Sequence, residues 1–152
     1  MAIAWSDDLS TGIDVIDNQH QRIVEYINQM ERAIQTQDRQ AVGLVLDELV
    51  DYSLSHFAFE ESLQEDAGYR FAKAHKSIHE MFVKRLATYQ AKYNAGEDIA
   101  MQLLGMLSTW LLHHIKRDDM AYIADVKANI NGIVRDRKEG SWVSRSLARF
   151  FR

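Results

Sequence analysis

The chain has no proline in 152 residues. Proline removes a backbone donor and clashes with the preceding helical turn, so nothing inside this chain forces a helix to stop. Glycine, the other common breaker, occurs seven times. A β-sandwich needs turn residues every ~8–12 positions, and they are not here. Long helices are what such a chain can build, and its length suits one domain with its own core.

Four segments carry apolar residues at spacings of three and four. The first runs from about Asp17 to Ile34 through Ile23, Ile27 and Met30. The second runs from about Ala41 to Gln64 through Val45, Leu49, Tyr52, His56, Phe59 and Leu63. The third runs from about Phe71 to Tyr93 through Ile78, Phe82, Leu86 and Tyr89, and Asn94 with Gly96 makes its stop. The fourth runs from about Asp98 to at least Lys116 through Leu103, Leu107, Trp110, Leu111 and His114. Short connections make consecutive helices antiparallel neighbours. The expected fold is all-α, an antiparallel up-down-up-down four-helix bundle. Residues 1–16 read as an N-terminal extended arm of a unit ending at 122, and residues 123–152 as a C-terminal helical extension.

Charge separates that extension from the rest. The net charge is −4. Residues 135–152 hold six basic against two acidic side chains, a net of +4, which leaves −8 on the remainder. The overall balance gives no reason to expect nucleic acid. After Gly140, residues 141–152 place Val143, Leu147, Phe150 and Phe151 on one helical face with Arg145 and Arg149 elsewhere. Such a segment docks on its own bundle, on a protein partner, or weakly on a membrane surface. No apolar run approaches the ~20 residues of a membrane span. The N-terminus has no basic region followed by an apolar one, so a cytoplasmic location is the expectation.

Chemistry is concentrated in the histidines. With no cysteine, disulfides, thiolate catalysis and zinc–thiolate sites are excluded. His20 lies early on the first helix, His56 late on the second, His75 and His79 early on the third, and His113 and His114 late on the fourth. Early on one antiparallel helix and late on the next is the same end of the bundle, so all four helices bring imidazole to one level. His75 and His79 are four apart and share a face, as do His56 and Glu60. His56 and His114 are in phase with apolar stripes, where an isolated polar group is costly. Imidazole with carboxylate and no thiolate suits iron, zinc, manganese or copper. So many donors exceed the shell of one ion, so two ions fit better.

These residues resemble the hemerythrin family in its prokaryotic single-domain form, over roughly residues 5–122. The resemblance rests on Trp5, the run Gly12 to His20, Asn28, the run His56 to Glu61, Tyr69, the pair His75 and His79 with Glu80, and the stretch Trp110 to Tyr122. It implies a non-haem di-iron centre: one iron on His75, His79 and His114, the other on His20 and His56. Glu60 and Asp119 would bridge them together with an oxo or hydroxo group. On two six-coordinate irons that set leaves one position open, on the iron with two histidines. The resemblance implies reversible dioxygen binding there, as carrier, store, buffer or sensor input, and not an enzyme. It also implies that Ile23, Phe57, Trp110, Leu111 and Ile115 wall the oxygen pocket. A di-iron oxidase or peroxidase, or a regulator acting through the tail, is the alternative. Ferritin-like oxidases use carboxylate-rich sites with Glu-x-x-His pairs, and this sequence has none.

One position stays open between two readings. A spacing of five on a regular helix is about 140° out of phase, so periodicity alone pairs His114 with Asp118. The family register pairs His114 with Asp119 and Tyr122 and leaves His113 outside the site.

Overall fold

The computed structural model describes residues 3–127. Four helices make up most of them: α1 (Asp14–Gln35), α2 (Arg39–Asp66), α3 (Ala72–Asn94) and α4 (Ala100–His113). A π-helical segment, His114–Asp119, carries α4 onward. Regular helix then resumes over residues 120–127. Among the described residues there is no strand, and the helices form the expected four-helix bundle. α1 packs on α2 and α4, and α2 packs on α3. A stack of Phe82 on Trp110, with ring centroids 3.8 Å apart, joins α3 to α4.

Local chemistry sets the start of α2 and the end of α3. Asp38 caps α2, its side chain accepting from the Ala41 amide at 3.0 Å. α3 stops at Asn94, and Gly96 takes the left-handed conformation (φ 91°) that closes the turn into α4. Gly43 serves a close approach instead: a Cβ there would overlap the Tyr93 ring. That ring lies under the Arg39 guanidinium, and its hydroxyl donates to the Arg39 carbonyl.

The arm is shorter than residues 1–16. It contains a single 3-10 turn, Asp7–Leu9, and α1 starts at Asp14. The buried Asp17 carboxylate ties the arm down, accepting from the Thr11 amide and hydroxyl, both at 2.8 Å, and from Ser10 at 2.9 Å. Farther along α1, Asn28 exchanges two hydrogen bonds with the Ile3 backbone. Leu9 inserts into the core.

Two apolar clusters fill the bundle. The larger contains Ile23, Ile27, Met30, Leu46, Leu49, Phe57, Phe82, Leu86, Leu103, Leu107, Leu111 and Ile115. The smaller contains Ile13, Ile16, Phe59, Leu63, Tyr122, Ile123 and Val126. Helix runs through residues 122 and 123 without a break, and the buried Ile123 and Val126 belong to the bundle core. The basic stretch 135–152, with its amphipathic segment 141–152, lies outside the described residues. Among the described residues no helix is long and apolar enough to cross a membrane.

Candidate metal centre

Seven buried side chains meet late on α2, early on α1 and α3, and in the π-helical segment: His20, His56, Glu60, His75, His79, His114 and Asp119. All seven are the residues singled out from the sequence. The imidazole Nε2 atoms point at two carboxylates. Glu60 Oε1 lies 3.3 Å from His56 Nε2, 3.3 Å from His79 Nε2 and 4.0 Å from His114 Nε2. Asp119 Oδ2 lies 3.0 Å from His20 Nε2. Its Oδ1 lies 3.2 Å from His75 and 3.1 Å from His114. Each carboxylate therefore reaches imidazoles on both sides of the cluster.

The arrangement fits two cations sharing a ligand. One ligand group joins Glu60, His75, His79, His114 and Asp119, and a second joins His20, His56 and Glu60. His79 and His114 aim their Nε2 atoms at each other 3.2 Å apart, an approach that two lone pairs make only around a shared cation or proton. Glu60 Oε1, both Asp119 oxygens, His20 Nε2 and His75 Nε2 are buried without a hydrogen-bond partner among the described residues. Buried polar atoms are nearly always satisfied, so inward-facing orphans of this donor chemistry mark ligand positions. Oxygen and imidazole donors without sulfur suit iron, manganese or zinc.

Electrostatics in the metal-free arrangement follow from burial opposed by neighbours. Burial works against a charged His20, but Asp119 and Glu60 outweigh it and hold the ring up at about 9. Burial dominates at His79, where Glu60 offsets it only partly, and the ring falls to about 4. Burial would raise both carboxyl groups, yet His56 holds Glu60, and His114 holds Asp119, well below the usual carboxylate range.

A second ring of contacts fixes how the ligands are presented. His56 Nδ1 donates to Gln19 Oε1 at 2.6 Å, which leaves Nε2 free as a donor to metal. Tyr122 donates to Glu60 Oε2 at 2.6 Å from a fully buried position. His114 Nδ1 meets Asp118 Oδ2 at 2.9 Å. The two readings of the last helix thus resolve into two contacts. Asp119 faces the inner nitrogen of His114 and Asp118 the outer one. The reason is the π-helical segment: its i→i+5 turn accommodates one additional residue, which a regular helix would rotate out of line. His113 is exposed, with Arg117 at 3.1 Å from its Nε2.

The apolar residues expected around the site fall into one cluster. Ile23, Phe57, Leu111 and Ile115 are buried there, and Trp110 packs against it partly exposed. Phe57 stacks on His79 with centroids 3.9 Å apart, and Trp110 on His114 at 4.4 Å. Tyr69 is half-buried and touches Tyr122, with centroids 6.1 Å apart.

No sequence motif assigns a part to Gln19. A signal was present: Gln19 is three residues after Ile16 and four before Ile23, on the apolar stripe of α1. Gln64, one turn beyond Glu60, is likewise wholly buried. Its position carries no sequence signal of that burial.

Comparison with known proteins agrees with the geometry. Residues 11–126 match the model of the hemerythrin HHE cation binding domain. The chain is 53% identical over 149 residues to the bacteriohemerythrin of Pseudomonas aeruginosa, covering 98% of this chain and 97% of the relative. The Methylococcus capsulatus bacteriohemerythrin is 32% identical over 116 residues, covering 76% and 88%. A solved wild-type hemerythrin structure superposes with a TM-score of 0.78 at 29% identity, covering 83% of this chain and 98% of that one.

Proposed function

The chain belongs to the hemerythrin family, and on that premise we propose that it binds dioxygen reversibly at a non-haem di-iron centre, in the cytoplasm, without turnover. His75, His79 and His114 would hold one iron and His20 and His56 the other, with Glu60 and Asp119 shared between them. The observation that carries this reading is the double ligand group with Glu60 common to both. When bound, two ferrous ions would supply the two electrons and the open coordination position that dioxygen uptake requires.

The chain's own residues do the rest. Gln19 and Asp118 hold His56 and His114 with their inner nitrogens presented. Tyr122 holds Glu60 in place. Phe57 and Trp110 cover two of the imidazoles, and Ile23, Leu111 and Ile115 keep water away. A dry wall limits proton access to bound oxygen, which favours release over irreversible oxidation. The donor set is rich in nitrogen, with five imidazoles to two carboxylates, and leaves little room for a second substrate.

The test is a metal count with visible absorption, recorded after anaerobic reduction, in air, and after deoxygenation. Two irons per chain, colourless when reduced and banded in air, with bands that vanish on deoxygenation, are expected. Direct passage to a stable ferric form with peroxide released would indicate an oxidase. A single zinc would overturn the di-iron reading.

A further inference from the structure

The two ligand groups are backed unequally. The outer nitrogen of His56 meets Gln19, a neutral amide that is itself buried. The outer nitrogen of His114 meets Asp118, a carboxylate whose side chain is 27% exposed while the imidazole is 2% exposed. A carboxylate accepting an imidazole N–H makes a shorter, stronger bond than an amide does. It also raises the basicity of the ring as a metal ligand. The π-helical turn is what lets adjacent Asp118 and Asp119 address opposite nitrogens of one ring, at 2.9 and 3.1 Å.

We propose that Asp118 is a positioning residue that makes the two iron positions electronically unequal, giving the iron on His75, His79 and His114 stronger donation and a lower reduction potential than the iron on His20 and His56. This rests on the di-iron reading above. Negative charge behind His114 stabilises the higher charge state of the metal that this ring would hold, and Gln19 offers the other iron no such charge. Partial exposure lets Asp118 remain ionised without the cost of a buried carboxylate.

The test uses the full chain loaded anaerobically with ferrous iron. It compares wild type with Asp118→Asn, which keeps an acceptor but removes the charge, and Asp118→Glu, which restores it. Iron release to a ferrous chelator and the midpoint potentials of the two irons are measured. The Asn variant is expected to retain two irons, to release one of them ~10–100-fold faster, and to show one potential shifted upward with the other unchanged. The Glu variant should return both readouts toward wild type. Unchanged release and potentials in the Asn variant, or equal shifts of both irons, would overturn the proposal. So would a drop in the melting temperature of the iron-free Asn variant large enough to account for its loss of iron, since the role would then be structural. Wild type that fails to take up two irons would overturn the di-iron reading and this inference with it.

Discussion

Tyr122 shows what a single side chain contributes to the centre. Its hydroxyl donates to the buried, ionised Glu60 at 2.6 Å, and the ring fills space beside Phe59 and Leu63. Burial, reinforced by Glu60 and Asp119, pushes the phenol well above its ordinary value, so it stays a donor throughout the working range. Tyr122→Phe keeps the ring and removes the donor. A hydrogen bond to a charged group contributes about 1.5–3 kcal/mol, and urea unfolding of the iron-free variant should show a loss of that size. Counting turns along antiparallel helices puts His20, His56, His75, His79 and His114 at one level, and the spacing of four puts Glu60 on the face of His56. Gln19 escaped that count because an amide on an apolar stripe carries no chemistry until its partner is known.

At the scale of elements, the π-helical segment is the feature periodicity handles worst. A regular helix puts Asp118, not Asp119, near the face of His114, and both are acidic, so residue type does not discriminate. The inserted residue costs backbone hydrogen-bond geometry and recurs at functional sites for that reason. Deleting the exposed Arg117 should convert the segment to regular helix. Asp119 would then stand four residues from His114 instead of five, while Tyr122, Ile123 and Val126 keep their packing. Circular dichroism should show helix content unchanged, and the metal count should show two irons retained, because a spacing of four on a regular helix keeps Asp119 on the face of His114. Loss of iron uptake would mean that the phase of the helix is not what brings Asp119 to the centre.

For the molecule as a whole, the centre sits between the two apolar clusters, so folding and metal binding are coupled. A ligand at a thousandfold excess over its dissociation constant adds about 4 kcal/mol of stability. For a chain of this length that is roughly 8–16 °C in melting temperature, and scanning calorimetry before and after iron removal should show at least that fall. The iron-free chain should also respond to pH in two directions. His79 titrates near 4 when folded against 6.5 when free, so the unfolded chain binds the additional proton and stability falls as pH drops from about 6.5 to 4. His20 titrates at about 9 when folded against the same 6.5. Its contribution is complete below 6.5 and is lost as pH rises through 9. Maximal stability of the iron-free form near pH 6.5 is the outcome expected from a melting series across pH 4–9.

The four helices and the level of the histidines were determined by sequence alone, because both follow from periodicity: 3.6 residues per turn, and no proline to interrupt it. The ligand set beyond what periodicity carries came from a resemblance, since a spacing of five gives no common face on a regular helix. Tertiary structure alone decided three things. It showed that the helical extension begins inside the core, because Ile123 and Val126 find apolar partners on α1 and α2. It showed that Asp118 and Asp119 take opposite sides of one imidazole, because the turn between them is wider than a helix predicts. It also paired Gln19 with His56, 37 positions apart in the chain. A partner at that distance is set by how two helices pack, which no local pattern encodes.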